Sequence, residues 1–134
     1  METPFIPPHC RLVPESQRYR RKVVRDLRYD GETLTVAIQG LGFSYAKVVF
    51  RDPSGFRVLD ELDLREFWST YSEPNGWLWE VVRGGWHDLE RTRPSYWCED
   101  GALREYLLID DKCVSVLCAD PPEIIDLGTD PIRN

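Results

Sequence analysis

Residues 22–39 read KVVRDLRYDGETLTVAIQ, and this stretch decides the fold class. Asp30-Gly31 is a strong hairpin signal, because a two-residue type I′ turn needs φ > 0 at both corners and Asp-Gly tolerates it. A turn centred there sets Leu27 opposite Leu34, Arg25 opposite Val36 and Val23 opposite Ile38. The pairs Arg28–Thr33 and Asp26–Thr35 fall on the other face. One face is then apolar and one polar, as a half-buried antiparallel pair requires. Arg25 interrupts the inner stripe, and its stem is expected to snorkel at the edge.

The rest of the chain continues in short strand-like runs. SYAKVVF and FRVLDE flank DPSG at 52–55, which reads as a second hairpin with Pro53 at the first corner and Gly55 left-handed. WLWEVVR at 77–83 is rich in strand formers. On strand alternation Trp77 and Trp79 share a face with Val81. REYLLID and KCVSVLCA form a last hairpin turning at Asp110-Asp111. Between these runs, Leu64, Phe67, Trp68 and Tyr71 recur at the spacing of one helix face. Asp63 is the expected N-cap, with Glu66 completing a capping box, Leu62 and Phe67 at the staple positions, and SEPNG as the stop.

The expected class is therefore α+β: a mainly antiparallel sheet of about six or seven strands, with one α-helix at about 63–71 packed on it. The 134 residues suit a single domain, 1–134, able to bury a core without metal or disulfide staples. Residues 1–21, with four of the ten prolines in the first fifteen, read as an irregular basic arm. In it PESQRYRRK extends into at most a short helix. Residues 22–120 form the body, and 121–134 an acidic, proline-containing tail lying across the surface.

Charge divides along the chain. Residues 1–29 carry seven basic against three acidic side chains, +4, and residues 30–134 carry ten against twenty, −10. An acidic body repels phosphate backbones, so direct nucleic-acid binding is not expected, whereas a basic partner is attracted. The four cysteines show no C-x-x-C, the start METPFIPPHC has no signal-peptide pattern, and no stretch approaches a membrane span. A cytoplasmic chain with free thiols, away from membranes, is expected.

Chemistry finds few candidates. RGGWHDLE at 83–90 holds His87; the other histidine, His9, sits in the arm. A nucleophile needs a base within reach, and Cys98 is the nearest candidate thiol in sequence, but nothing in the chain requires the pair. Cys113 and Cys118 are five apart on a strand and face opposite sides, against a shared zinc site. No P-loop, G-x-G-x-x-G, H-E-x-x-H or G-x-S-x-G occurs. RGGWHDLE thus reads as a strand end, with two flexible glycines, Trp86 returning to the core, and His87, Asp88 and Glu90 in solvent. No catalytic residue, cofactor or metal is expected.

What remains is binding. GFRVLDELDLREFW, WEVVRGGWHDLE and LREYLLIDDKCVSVLC, in a small acidic single-domain chain, resemble bacterial immunity proteins encoded beside polymorphic or contact-dependent toxins. The resemblance spans roughly residues 22–120 and rests on overall style. It carries over no catalytic or binding residue. It implies a protein that binds and neutralises a cognate toxin inside the producing cell. Such toxins are often basic nucleases or nucleotide-modifying enzymes. On charge, the candidate partner-binding residues are Asp60, Glu61, Asp63, Glu66, Asp88, Glu90, Asp110 and Asp111. The alternative is a small-ligand or regulatory module with an aromatic-lined pocket using Trp77, Trp79, Trp86 or Trp97. An enzyme of unrecognised type is a third.

Overall fold

A computed structural model describes residues 7–19, 23–40, 42, 44–71, 75–96 and 103–129. Arg20, Arg21, Lys22, the helix stop at Ser72–Pro74, Trp97, Cys98 and the last residues, 130–134, lie outside the described residues. Strands β2 (Val23–Tyr29) and β3 (Thr33–Gln39) pair antiparallel, as the alternation predicts. The register, however, sets Leu27 opposite Val36 and Tyr29 opposite Leu34. The corner is therefore Gly31-Glu32. Gly31 has φ 98°, and Asp30 is not left-handed. The Asp30 carboxylate explains the slide: Oδ1 accepts the N–H groups of Glu32 (2.9 Å) and Thr33 (2.8 Å), a role open to it just before the corner.

A slide of two residues preserves parity, so Leu34, Val36 and Ile38 are all buried. The flaw at Arg25 is removed by a β-bulge. Pairing slips between Val24 and Asp26, which sets Val24 opposite Ile38 and leaves Arg25 exposed. Val24 packs against the core in place of Val23, which is 50% exposed.

Two sheets stack. The four-stranded sheet runs β2-β3-β4-β9, with β4 Tyr45–Arg51 and β9 Glu123–Gly128. The five-stranded sheet runs β1-β6-β7-β8-β5, with β1 His9–Leu12, β5 Gly55–Asp60, β6 Leu78–Arg83, β7 Arg104–Leu108 and β8 Lys112–Cys118. Every pairing is antiparallel. Leu34, Val36, Ile38, Val48 and Phe50 meet Leu78, Tyr106, Leu108, Val114 and Val116 between the sheets. The mainly antiparallel sheet fold is as expected. It gains strands because His9–Leu12 of the arm pairs with β6, and Glu123–Gly128 of the tail pairs with β4. Both are edge strands, whose weak alternation hid them.

DPSG is a crossing between sheets, not a hairpin. β4 has β3 on one side and β9 on the other, so β5 pairs instead with β8. Asp52, not Gly55, takes the positive φ (48°). The crossing is tied at both ends, by Asp52 N–H to Glu32 O and Ser54 N–H to Leu117 O (both 2.7 Å).

The helix-face spacing places its side chains correctly: Leu64 and Phe67 are buried, with Trp68 and Tyr71 packed beside them on the outer face of the five-stranded sheet. The backbone differs from expectation. Glu61–Phe67 is 3-10 helix with a kink at Leu64, and its cap is Asp60, whose Oδ1 accepts the Leu62 N–H. Leu62 is 68% exposed, so no staple to Phe67 forms. A second 3-10 turn, Pro14–Arg18, follows β1. The α-helix among the described residues is α1, Trp86–Glu90.

Because the five-stranded sheet is covered on both faces, β7 and β8 read as nearly unbroken apolar runs. Cys113 lies in the outer cluster and Cys118 in the inner one, as their odd spacing predicts. Trp77 and Trp79 do not share a face. Trp79 and Val81 join the outer cluster, while Trp77 precedes the strand and enters the inter-sheet core, donating from Nε1 to Ser16 O (2.9 Å). No helix among the described residues is long and apolar enough to cross a membrane.

Candidate functional site

The GGWHDLE segment is a built structure closed on a residue eighteen positions further on. Glu105, the first buried residue of β7, lies on the outer face of the sheet and is 2% exposed. Its Oε2 accepts the Trp86 N–H (3.1 Å) and its Oε1 the His87 N–H (2.8 Å), two main-chain donors at the start of α1. A Cβ on Gly85 would sit 2.8 Å from Glu105 Oε1 and 2.7 Å from Val81 Cγ1, so this close approach needs glycine. Gly84 is left-handed (φ 78°), with Pro7 O 2.6 Å from where its Cβ would be. Asp88 Oδ2 accepts the Gly84 N–H (2.7 Å), closing the loop on itself.

Burial pushes the Glu105 carboxyl up to about 7, against the two N–H donors and the charge of Arg57, which lower it. Burial, with the Glu105 charge, pushes the Cys10 thiol up to about 12. The Arg57 guanidinium lies 4.8 Å over the Trp86 ring. Burial holds it below its ordinary value, opposed by Glu105, Glu66 and Glu90. Trp86 Nε1 donates to Glu90 Oε1 (3.0 Å), and Arg93 donates to Glu90 Oε2 (2.7 Å). His87, its ring edge-on to Tyr96, is held below its ordinary value by burial first and Arg91 second.

The expectation of a solvated strand end is corrected here. Trp86, His87, Asp88 and Glu90 are all half-buried, and Trp86 lies over the outer face of the sheet against Gly55 and Arg57 instead of returning to the inter-sheet core. Glu105 is the residue that sequence reasoning missed. One signal was available: alternation puts Glu105 on the face of Leu107 and Ile109, where a carboxylate needs dedicated donors. The nearby Gly-Gly could supply the approach.

The partner-binding candidates fall into two groups. Glu61 N–H donates to Asp111 O (3.2 Å), which brings the 61–67 segment against the β7–β8 turn. Asp60, Asp63 and Asp111 gather there around Lys112, with Glu61 and Asp110 next to them in the chain. The Lys112 ammonium bonds Asp60 (2.8 Å) and is raised by it and by the charges of Asp63 and Asp111. Asp60 is lowered first by that bond and second by the Leu62 N–H. Asp110 Oδ2 accepts the Val24 N–H (2.9 Å), tying this end to β2. Leu62, between Glu61 and Asp63 in the chain, is exposed. Asp88 and Glu90 lie at the other end of β7, about 16 Å away at roughly 3.3 Å per residue. Their oxygens are engaged within the loop. Glu66 faces Arg57 between the two groups.

Cys10, Cys113 and Cys118 are buried, with Cys113 Sγ donating to Asp110 O (3.4 Å), and the Cys98–His87 pairing lies outside the described residues. Among the described residues no three His, Cys, Asp or Glu side chains are grouped to hold a metal ion. Of the aromatic-pocket residues, Trp77 and Trp79 are core, and Trp86 carries Arg57. Comparison with protein-family models, with curated proteins and with solved structures finds no match.

Proposed function

We propose that this chain is a non-enzymatic binding protein of the immunity type, which neutralises a basic toxin domain in the cytoplasm of the cell that makes it. The observation that carries the reading is the group at one end of the five-stranded sheet. Acids from residues 60–63 and 110–111, remote in sequence, are brought to one end of the sheet, and Leu62, between Glu61 and Asp63 in the chain, is a large apolar side chain left 68% exposed. An apolar anchor within a charged rim is the anatomy of a protein interface, and the sign of the rim selects a basic partner. The raised carboxyl of Glu105 fits the same reading: it is turned towards main-chain donors, serving the shape of the loop.

The test is co-expression with the toxin domain encoded beside the gene. Growth is rescued and the two proteins co-purify. The triple change Glu61→Lys, Asp63→Lys, Asp111→Lys abolishes rescue with an unchanged circular dichroism spectrum, and Leu62→Ser weakens it. His87→Ala leaves rescue intact. Failure of the unaltered chain to bind that domain overturns the function. Rescue that survives the triple change overturns the choice of surface.

A further inference from the structure

Four strands end the two sheets: β1, β5, β2 and β9. β1 has four residues. The acids of β9 are already engaged, Glu123 with Arg51 (2.7 Å) and Asp126 with Arg18 (2.8 Å). On β5, Arg57 lies under Trp86. β2 is the longest of the four, at seven residues, and it carries two exposed apolar side chains, Val23 50% and Tyr29 48% exposed, where β5 carries one, Val58 at 48%. Tyr29 reaches across the open flank to Phe56 of β5, ring centroids 5.2 Å apart. Long edges with exposed apolar groups are templates for strand pairing unless charge forbids it.

The direction of the β2 backbone is set by the turn. Asp30 N–H donates to Thr33 O, so Asp30, Arg28 and Asp26 direct their main-chain groups towards β3. By strand alternation Leu27 and Tyr29 direct theirs outward along the open edge. Beyond the bulge, the outward N–H of Val24 goes to Asp110.

We propose that β2 pairs antiparallel with β2 of a second copy of this chain, about a two-fold axis at Leu27, joining two four-stranded sheets edge to edge. Leu27 then faces its own counterpart in a hydrogen-bonded pair, since both direct N–H and C=O outward. One position to either side, Asp26 faces Arg28 of the copy, and Arg28 faces its Asp26. The sequence D-L-R at 26–28 is thus self-complementary in this register, and the contact is closed and isologous. Asp26 and Arg28 pair with each other within one chain (2.9 Å) on well-exposed side chains, 51% and 83%, so both are free to turn to a facing strand. Opposite charges directly across a sheet favour pairing, and like charges oppose it.

Sedimentation velocity of the full chain from micromolar to millimolar concentration tests this. The expected result is a species of twice the 15.7 kDa chain mass. Asp26→Arg sets Arg against Arg28 on both sides of the axis and gives a monomer. Adding Arg28→Asp restores opposite charges and restores the dimer. The amide hydrogens of Leu27 and Tyr29 exchange roughly tenfold more slowly in concentrated than in dilute unaltered protein. This last readout decides the matter even where a charge variant fails to fold. A monomer throughout, a dimer that survives Asp26→Arg, a doubly altered chain that folds yet stays monomeric, or amide exchange independent of concentration each overturns the proposal.

Discussion

Glu105 shows how one side chain shapes a loop. Its carboxyl has an ordinary value of 4.5 and is pushed up to about 7 in the fold, so the folded state binds its proton more tightly than the unfolded state does. The contribution of Glu105 to stability is therefore greatest below pH 4.5. It declines as pH rises from there through 7, by up to about 3 kcal/mol, and is level above. His87, depressed by burial, acts in the opposite sense: its contribution is present above its unfolded value and lost as pH falls through the folded one. Comparing Glu105→Gln with the unaltered chain by urea unfolding between pH 5 and 8 isolates the glutamate. The unaltered chain loses stability relative to the variant as pH rises, and parallel curves would refute the assignment. Gly85→Ala forces a methyl against Glu105 and Val81 and is expected to cost about 1–3 kcal/mol, read from the same unfolding curves. Neither effect is legible in GGWHDLE alone. The segment shows that the backbone is free to approach something, while the thing approached lies in another strand.

At the scale of elements, the face of a segment was easier to read than its backbone. Leu64, Phe67, Trp68 and Tyr71 pack together as their spacing predicts, because a 3-10 turn and an α-turn both bring residues three apart to one side. The cap was misread by three residues. Asp63 has the better local pattern, but Asp60 ends a strand that pairs with β8, and that pairing fixes where the helical segment starts and brings Lys112 to it. Asp60→Ala is expected to lower stability by about 1 kcal/mol, and Asp63→Ala to change it by a few tenths at most, in thermal unfolding followed by circular dichroism. The hairpin of β2 and β3 was legible in its faces for a related reason: a two-residue slide leaves every side chain on the same side, whereas the bulge at Arg25 removes the one residue that did not fit.

Across the whole molecule, the two ends of the chain decide how the sheets close. The tail was read as a surface strap, yet β9 occupies the edge of β4 and buries Leu127, with Ile124 packed against the inter-sheet core. A chain ending at Pro122 leaves the β4 edge unpaired and those side chains uncovered, and is expected to lose about 3 kcal/mol or more, seen as a lower urea midpoint for the entire transition. A surface strap would leave the midpoint unchanged.

Composition and alternation by themselves determined that this chain is a mainly antiparallel sheet protein with an uneven, acidic charge, because the period of apolar residues reports which faces are buried whatever the strands pair with. Tertiary structure alone decided which strands are neighbours, that the sheets number two, that Asp60–Asp63 meets Asp110–Asp111, and that Glu105 holds α1. Those facts depend on edges competing for partners across the chain, and no local pattern records the outcome of that competition.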